Sequence, residues 1–561
     1  METKDLMKYD QLSPFEVKDK LIELAQSHHE RMMLDAGRGN PNWVATTPRH
    51  GFFQLGLFAL SEAERSFTDM AHFGGYTQSE GLKARFDRFV QDHTGTAGID
   101  FLKQGIDYAE KALGIPPADL LLQYCDAIIG NHYPVPDRML KHCETICAAY
   151  IRKEFGAGRP FDRAFDLFAV EGGTAAMTYV FQTLKENKIL NVGDTIAIGS
   201  PIFTPYLEIP RLNDYRFVEV EIAASEDEGW QIPDSEIDKL LDPKVKAFFV
   251  TNPSNPPSVK IQDATIDRIA EIVKTQRPDL IILTDDVYGT FTQGFVSLFA
   301  AIPDNTIGVY SWSKYFGATG WRLGVIALCE GNVLDKMLAD LPRADKDELA
   351  ERYNSITLEP DKLKMIDRFV ADSRAVALNH TAGTSTPQQV FMSLLSLFCL
   401  MDKADAYKKA CQDLVTRRYN NLYEALGIPQ PADPNAAHYY TEIDIRQVAA
   451  AAYSEELANW IDKNVHPLDF VFRLADEEEV VLMPGGGFDA PKSSVRASLA
   501  NLDDAAYTAI GKRLRELVDE YYQRWKAEQK QERSSFEFSD LLDRHGRNRG
   551  LHGKCCVHRD P

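Results

Sequence analysis

The stretch Thr306-Ile-Gly-Val-Tyr-Ser-Trp-Ser-Lys-Tyr-Phe-Gly317 runs from an apolar segment directly into a serine-rich turn that carries Lys314. The apolar part, Thr306 to Tyr310, has the length and composition of a buried β-strand. A lysine that a strand delivers into such a turn is well placed to be a covalent anchor, because a partly deprotonated amine forms a Schiff base with an aldehyde cofactor. A solvated lysine is the simpler interpretation, and the surrounding motifs decide between the two.

Further apolar runs of strand length alternate with helical segments on both sides of this stretch. They are residues 166–170, 194–199, 217–222, 245–250, 280–284 and 323–328. Near-continuous apolar strands separated by helices predict an α/β fold with a mostly parallel central sheet between two layers of helices. Ligands of such sheets bind at the carboxyl ends of the strands, and the polar and Gly-rich motifs of this chain fall there.

The 561 residues are enough for two or three domains with sizeable cores. We predict an N-terminal arm with part of a smaller α/β domain over residues 1–70 and a large domain over 71–375. The rest of the smaller domain is predicted over 376–530, with a long helix from about 503 to 530, and a flexible tail over 531–561.

Charge and composition narrow the range of partners. A formal charge of −21 argues against a nucleic-acid partner. No segment approaches twenty uninterrupted apolar residues, so we expect no membrane span. Eight cysteines without paired CxxC spacing, and an N-terminus without the layout of a signal peptide, favour a reducing, cytoplasmic setting.

Two motifs directly follow predicted strands. Glu171-Gly-Gly-Thr-Ala175 opens a helix whose N-terminus carries roughly +0.5 of an elementary charge, which suits a phosphate, although a tight strand–helix turn is equally typical. Leu283-Thr-Asp-Asp-Val-Tyr288 ends a buried strand in two carboxylates, and a buried Asp needs a partner. A protonated pyridine nitrogen suits Asp285, because the ion pair keeps the ring an electron sink. The absence of a nearby His or third acid in the sequence argues against a metal.

Two further segments carry candidate polar contacts. Thr251-Asn-Pro-Ser-Asn-Pro-Pro257 consists of ordinary turn formers, and it could equally set the Asn255 amide against a ring oxygen. Ser494-Val-Arg-Ala-Ser-Leu499 puts Arg496 inside an apolar strand, where an arginine is usually paired. A bidentate clamp on a substrate carboxylate is the alternative.

In this order and spacing, the motifs resemble the fold-type-I pyridoxal 5′-phosphate (PLP) enzymes of the aspartate aminotransferase family, over roughly residues 35 to 520. The resemblance implies that Lys314 is the covalent anchor of PLP and that Asp285 pairs the pyridine nitrogen. It implies that Asn255 and Tyr288 contact the phenolic oxygen of the ring and that Phe203 stacks on the ring. The other implied cofactor contacts are Gly173, Thr174, Ser311, Ser313 and Arg322 at the phosphate, and Tyr76, which would reach it across a dimer interface.

The resemblance also implies substrate contacts. Arg496 would hold the substrate α-carboxylate, and Asn255 is a further candidate contact of the substrate. Arg38 is the candidate near a second carboxylate, although an arginine in a Gly-rich loop is equally typical of a structural clamp. His132 and Tyr133 are further candidates, for which a packed loop is the simpler interpretation.

Two features distinguish this chain within the family. The usual Asn-Pro-Thr-Gly reads Asn255-Pro-Pro-Ser258, and the chain is well over a hundred residues longer than typical members. The length, with residues 37–43 and 380–389, looks like the aspartate 4-decarboxylases, which convert L-aspartate to L-alanine and CO2 and keep some aminotransferase activity. That likeness implies a homodimer unit assembled into a dodecamer. The alternatives are an aspartate or aromatic aminotransferase with insertions, a carbon–sulfur lyase of the same fold, and a catalytically silent PLP-fold regulator.

Overall fold

The computed structural model describes residues 6–10, 12–27, 33–67, 70–212, 218–374, 383–428, 430 and 432–548. The predicted domain boundary at 375–376, the start of the segment 380–389 and the last part of the predicted tail, 549–561, lie outside the described residues. No helix within these ranges has an apolar stretch of the length that a lipid bilayer requires.

The described residues form twelve strands. These are β1 Leu34–Asp35, β2 Phe165–Val170, β3 Thr195–Ser200, β4 Val218–Ala223, β5 Val245–Thr251, β6 Ile281–Asp285, β7 Thr306–Ser311, β8 Gly324–Cys329, β9 Tyr440–Asp444, β10 Val480–Val481, β11 Met483–Pro484 and β12 Ser494–Ser498.

The helices of the first half are Pro14–Ser27, Thr46–Glu64, Leu82–Asp92, Ile99–Leu113, Pro117–Ile129, Lys141–Gly156, Gly173–Glu186, Thr204–Leu212, Asp234–Ile237 and Asp263–Thr275. Those of the second half are Leu298–Ala301, Val333–Asp340, Arg343–Tyr353, Met365–Ser373, Thr386–Met401, Ala406–Leu426, Ile445–Ala452, Glu455–Asn464, Asp469–Glu478 and Asp504–Asn548. The last helix continues past residue 530, where the sequence predicts its end.

Seven strands form the central sheet in the order β2-β8-β7-β6-β5-β3-β4. β8 is antiparallel to both of its neighbours, and the other neighbouring pairs are parallel. Each predicted strand lies within one residue of the observed one at either end, because the apolar runs are bounded by Gly, Asp or Pro. The prediction of a mostly parallel α/β sheet is confirmed.

Helices cover both faces of this sheet. Leu167 and Ala169 of β2 belong to one apolar core, which includes Phe52 and Val390 from the helices Thr46–Glu64 and Thr386–Met401. The intervening Phe168 and Val170 of β2 belong to a second core on the opposite face, with the helices Gly173–Glu186 and Met365–Ser373. This separation follows from the alternation of side chains along a strand.

A smaller domain packs beside the large one. Its antiparallel sheet has the order β11-β12-β9, and β1 from the N-terminal segment pairs in parallel with β10. Its core joins Val17 and Leu21 of the helix Pro14–Ser27 to Val480 and to Ile510 of the last helix. The N-terminal segment is therefore part of this domain, and it brings the loop of residues 37–43 to the edge of the central sheet.

Candidate active site

The carboxyl ends of β2, β3, β5, β6 and β7 meet at one edge of the central sheet, because these strands run in the same direction. β8 runs the other way and starts at that edge. The residues there enclose a cavity of about 150 Å³. Its lining comprises Gly173, Thr174, Phe203, Tyr206, Thr251, Asn255, Asp285, Val287, Tyr288, Ser311, Ser313, Lys314, Thr319, Arg322 and Tyr440. Every cofactor residue predicted from the sequence except Tyr76 is among them.

The turn after β7 sets the position of Lys314. The Ser311 hydroxyl donates to the Leu323 carbonyl (2.7 Å) and accepts a hydrogen bond from the Ser313 amide (3.2 Å). The two serine hydroxyls lie 2.8 Å apart. The Lys314 amine donates to the Gly39 carbonyl at 3.0 Å, so the N-terminal loop covers the amine.

Asp285 is the carboxylate that faces the cavity. Its Oδ2 accepts a hydrogen bond from the Tyr206 hydroxyl at 2.6 Å, and its Oδ1 accepts one from the Val287 amide at 3.2 Å. Burial raises the pKa of Asp285 to about 6, although these two bonds and the charge of Lys314 favour the carboxylate. A cation in the cavity beside Asp285 would therefore stabilise the ionised form of this buried carboxyl group.

The neighbouring Asp286 points into the protein instead. Its carboxylate accepts hydrogen bonds from the Thr284 hydroxyl (2.7 Å) and from the Ser297 hydroxyl. Burial raises its pKa to about 8. Consecutive residues at the end of a strand face opposite sides, so one member of the Asp-Asp pair can serve the cavity and the other holds the loop before Leu298.

The cavity also contains groups that suit an anion. The helix Gly173–Glu186 begins there, after Gly172 with φ of 96°, and directs its free N–H groups at the site. Arg322 donates to the carbonyls of Glu171 (2.8 Å) and Thr319 (3.2 Å). A Cβ at Gly172 would lie 2.5 Å from Nη2 of Arg322, so glycine is required for this approach.

Arg496 lies behind the cavity in the smaller domain. Its guanidinium donates to Oδ1 of Asn255 (3.3 Å) and to the Gly37 carbonyl (3.0 Å). It also lies over the rings of Tyr440 and Phe488, at 4.3 and 4.8 Å from the centroids. Burial lowers the pKa of Arg496, and its Nε has no hydrogen-bond partner among the described residues. In the part of the chain that the structure describes, no carboxylate pairs with this buried cation.

Comparison with known proteins connects this geometry to a family. Residues 140–514 match the family described as aminotransferase class I and II. The chain is 52% identical, over 94% of its own length and 99% of the relative's, to a bifunctional aspartate aminotransferase and L-aspartate beta-decarboxylase of a Pseudomonas species. The chain belongs to the aminotransferase class I and II family. Members of this family depend on PLP.

More distant relatives agree with this assignment. An aspartate aminotransferase of Sulfolobus acidocaldarius is 26% identical over 55% of this chain and 66% of its own length. The solved structure of the Thermus thermophilus aspartate aminotransferase with maleate superposes with a TM-score of 0.54 at 19% identity, over 92% of this chain and 99% of that one. An aromatic aminotransferase from Pyrococcus horikoshii gives 0.55 at 17% identity, over 89% and 99%. These two structures establish the fold.

The residues of the cavity fit the family's cofactor. Asp285 offers a buried carboxylate for a protonated ring nitrogen, and the glycine-bounded helix N-terminus with Arg322 offers donors for a phosphate. Lys314 belongs to the same lining. These groups therefore match a molecule that carries a cationic ring nitrogen, an anionic phosphate and an aldehyde.

Besides Arg496, three groups of predicted residues lie outside the cavity. Arg38 donates from Nε to Oδ2 of Asp35 at 2.9 Å, and its side chain is 59% exposed. Tyr76 is 64% exposed. His132 and Tyr133 are also exposed. A single chain thus leaves these side chains on its surface.

The sequence did not reveal four residues of the site. Tyr206, one helical turn beyond Phe203, is the hydrogen-bond partner of Asp285. Tyr440 lines the cavity from the smaller domain. Gly39 lies against both Tyr440 and Lys314, and a Cβ there would come within 2.2 Å of the tyrosine hydroxyl. Ser258, where the family usually has glycine, binds the amides of Tyr439 and Tyr440. Of these four residues, only Ser258 had a signal in the sequence, which is the unusual motif Asn255-Pro-Pro-Ser258.

Proposed function

We propose that this protein is a PLP-dependent enzyme that removes the β-carboxyl group of L-aspartate, giving L-alanine and CO2, with aspartate aminotransferase activity as a side reaction. The observation that carries the proposal is that Lys314 and Asp285 line the same buried cavity. The Pseudomonas relative, which carries both activities in its name, supports the choice of substrate.

Bound PLP would supply an aldehyde that links to the substrate amine, a ring that accepts the electrons released at Cα, and a C=N bond that accepts those of the Cβ–carboxylate bond. Lys314 would anchor the cofactor and, once released by substrate, would take the proton from Cα. Asp285 would keep the ring nitrogen protonated. Asn255 and Tyr288 would contact the ring oxygen, and Phe203 would cover the ring. Gly173, Thr174, Ser311, Ser313 and Arg322 would hold the phosphate.

Arg496 would clamp the α-carboxylate, which would complete the hydrogen bonding of its buried guanidinium. The β-carboxylate must be held less firmly, since tight binding of a group that leaves as CO2 stabilises the ground state and slows the reaction. Arg38 stays our candidate for that contact. It would have to leave Asp35 to reach the β-carboxylate. The loss of that ion pair would offset part of the binding free energy, so the β-carboxylate would be bound weakly.

The test is product analysis with L-aspartate as the sole substrate. We expect many turnovers of L-alanine and CO2 per active site, without any added keto acid. A pure aminotransferase would stop after one half-reaction, and that result would refute the decarboxylase proposal. Lys314→Ala should lose both activities and the absorbance of the covalently linked cofactor. Lys246→Ala, at an exposed lysine in β5, is the matched control.

We further propose that two chains form a dimer through an exposed apolar surface on the helix Thr46–Glu64. Phe53, Leu57 and Leu60, spaced at one and two helical turns, are 59%, 56% and 52% exposed. Tyr76 would then reach the partner's phosphate. Leu57→Asp should lower the molar mass measured by light scattering, whereas an unchanged mass would exclude this surface.

The dimers would assemble into a homododecamer in the cytoplasm. Light scattering should give about twelve times the chain mass of 63.1 kDa. The six cysteines in the described ranges are buried free thiols, which suits a reducing compartment. Cell fractionation would test the location.

A further inference from the structure

Tyr440 lines the cavity without a role in the reaction proposed above. Its side chain is 3% exposed, so its hydroxyl must find its partners inside the protein. The Tyr288 hydroxyl donates to it at 3.2 Å. The Lys314 amine lies beside it in the same cavity, near the same point of Gly39. The amine that performs the chemistry therefore has two fixed neighbours, the Gly39 carbonyl and the Tyr440 hydroxyl.

The backbone of Tyr440 is held by the motif that departs from the family. Ser258 adopts φ of 65°, a conformation that normally favours glycine. Its hydroxyl accepts hydrogen bonds from the amides of Tyr439 (3.1 Å) and Tyr440 (3.3 Å). Glycine at this position could not make these bonds. The serine thus fixes the start of β9, and with it the ring of Tyr440, to the loop that follows β5.

The ring of Tyr440 is held as tightly as its backbone. The Arg496 guanidinium lies 4.3 Å from the ring centroid, and the ring of Tyr288 lies 5.4 Å away, at 78° to it. Gly39 allows the hydroxyl to approach, since its Cβ position would be 2.2 Å from that oxygen and 3.1 Å from Nζ of Lys314. Oxygen and amine therefore lie beside the same point of the N-terminal loop.

The charges around Tyr440 favour its hydroxyl oxygen as a hydrogen-bond acceptor. The titratable and charged groups that face it are Lys314, Arg496, Tyr288 and Tyr439. The two cations lower the pKa of Tyr440, although burial opposes them. Burial raises the pKa of its neighbours Tyr288 and Tyr439 instead, so these stay neutral. In return, an oxygen with partial negative charge stabilises a proton on the nitrogen of Lys314.

We propose that Tyr440 is a positioning residue that holds the proton of Lys314 within the reaction cycle. Decarboxylation breaks the bond between Cβ and the carboxyl carbon, CO2 leaves without the electron pair, and Cβ must gain one proton. The overall change consumes one proton from solvent and needs no oxidant or reductant. Lys314 would become protonated when it removes the proton from Cα. The Tyr440 hydroxyl would stabilise that proton on the amine until a carbon atom accepts it. This inference rests on the proposed linkage of Lys314 to PLP.

The test follows the protonation of the cofactor-bound nitrogen by absorbance in the holoenzyme, without substrate, as pH is varied. Tyr440→Phe removes one oxygen atom and keeps the ring. Because an acceptor is lost, we expect the pH midpoint of the absorbance change to fall by about one unit. Tyr439→Phe is the matched control, since the hydroxyl of Tyr439 donates to the same Gly39 carbonyl (2.8 Å). Its midpoint should stay within about 0.2 unit of the wild-type value.

Each outcome has one meaning. An unchanged midpoint in Tyr440→Phe, or an equal shift in Tyr439→Phe, would overturn the role of Tyr440 and leave the proposed function intact. A wild-type protein without a pH-dependent imine band would refute the linkage of Lys314 itself. Should Tyr440→Phe not fold, Ser258→Ala, which frees the amides of Tyr439 and Tyr440, replaces it; a downward shift that Tyr439→Phe lacks supports the proposal, and no shift refutes it.

Discussion

The Tyr206 hydroxyl donates a hydrogen bond of 2.6 Å to Oδ2 of Asp285, and both residues lie in the same wall of the cavity. Tyr206 belongs to the helix after β3, and Asp285 ends β6. This bond favours the ionised form of Asp285 and offsets part of the effect of burial, which raises its pKa. The carboxylate is thereby prepared for a cation on the cofactor.

Tyr206→Phe should therefore move the acid limb of the pH–rate profile to higher pH. In the proposed reaction Asp285 acts as the carboxylate, and burial raises its pKa, so activity should be lost as pH falls and the group becomes protonated. Loss of the bond raises this pKa further, and we expect roughly a tenfold drop in kcat/KM at pH 6 with a smaller drop at pH 8. Tyr353→Phe, which removes a hydroxyl that donates to the Asp372 carboxylate outside the cavity (2.9 Å), is the matched control. An acid limb with the same midpoint pH as in the wild-type enzyme would contradict the prediction.

Arg496→Lys should raise KM for L-aspartate by about 100-fold, since a lysine cannot form the planar, two-point contact of a guanidinium. Steady-state kinetics measure this effect. Arg38→Lys is the comparison, because Arg38 is exposed and already paired with Asp35. A larger KM effect at residue 38 than at residue 496 would reverse the proposed assignment of the two carboxylates.

The sequence predicted the central sheet well because its signals are local. Each strand is an apolar run with a polar or Gly-rich end, and the direction of parallel strands brings those ends to one edge. That is why Lys314, Asp285 and Asn255, which are far apart in the chain, could be expected in one cavity. The end of the last helix was less clear, since its polar residues after position 530 are compatible with both helix and tail.

The residues that were missed depend on contacts between distant segments. Tyr440 enters the site from the smaller domain, and nothing in its surrounding sequence distinguishes it from an ordinary strand residue. Choosing between Phe203 and Tyr206 as partners of the site requires the orientation of one helix relative to β6. Arg38 was the candidate for the second carboxylate, with a structural clamp as the alternative, and its ion pair with Asp35 becomes visible only in three dimensions.

Ser258 should stabilise the junction between the two domains. Its hydroxyl accepts two backbone amides, so Ser258→Ala should cost roughly 1–2 kcal/mol and lower the thermal midpoint of unfolding. Ser258→Gly loses the same bonds but relieves the positive φ, which offsets about 1 kcal/mol. The expected order of thermal midpoints is therefore wild type, then Gly, then Ala. An alanine variant as stable as wild type would show that the two amide bonds contribute little.

Glu442 in β9 should make stability fall as pH rises. Its Oε1 accepts a hydrogen bond from the Ser494 hydroxyl at 2.6 Å, and its Oε2 has no hydrogen-bond partner in the described part of the chain. Burial, with the charges of Glu226 and Asp444, raises its pKa to about 8. The folded protein thus keeps this proton at a pH where the unfolded chain has released it, so stability declines between about pH 4.5 and 8. Glu442→Gln, which mimics the protonated acid, should gain roughly 1–3 kcal/mol at pH 8 and almost nothing at pH 4.5. Denaturant unfolding at both pH values measures the difference, and an equal effect at the two would exclude titration of Glu442 as its cause.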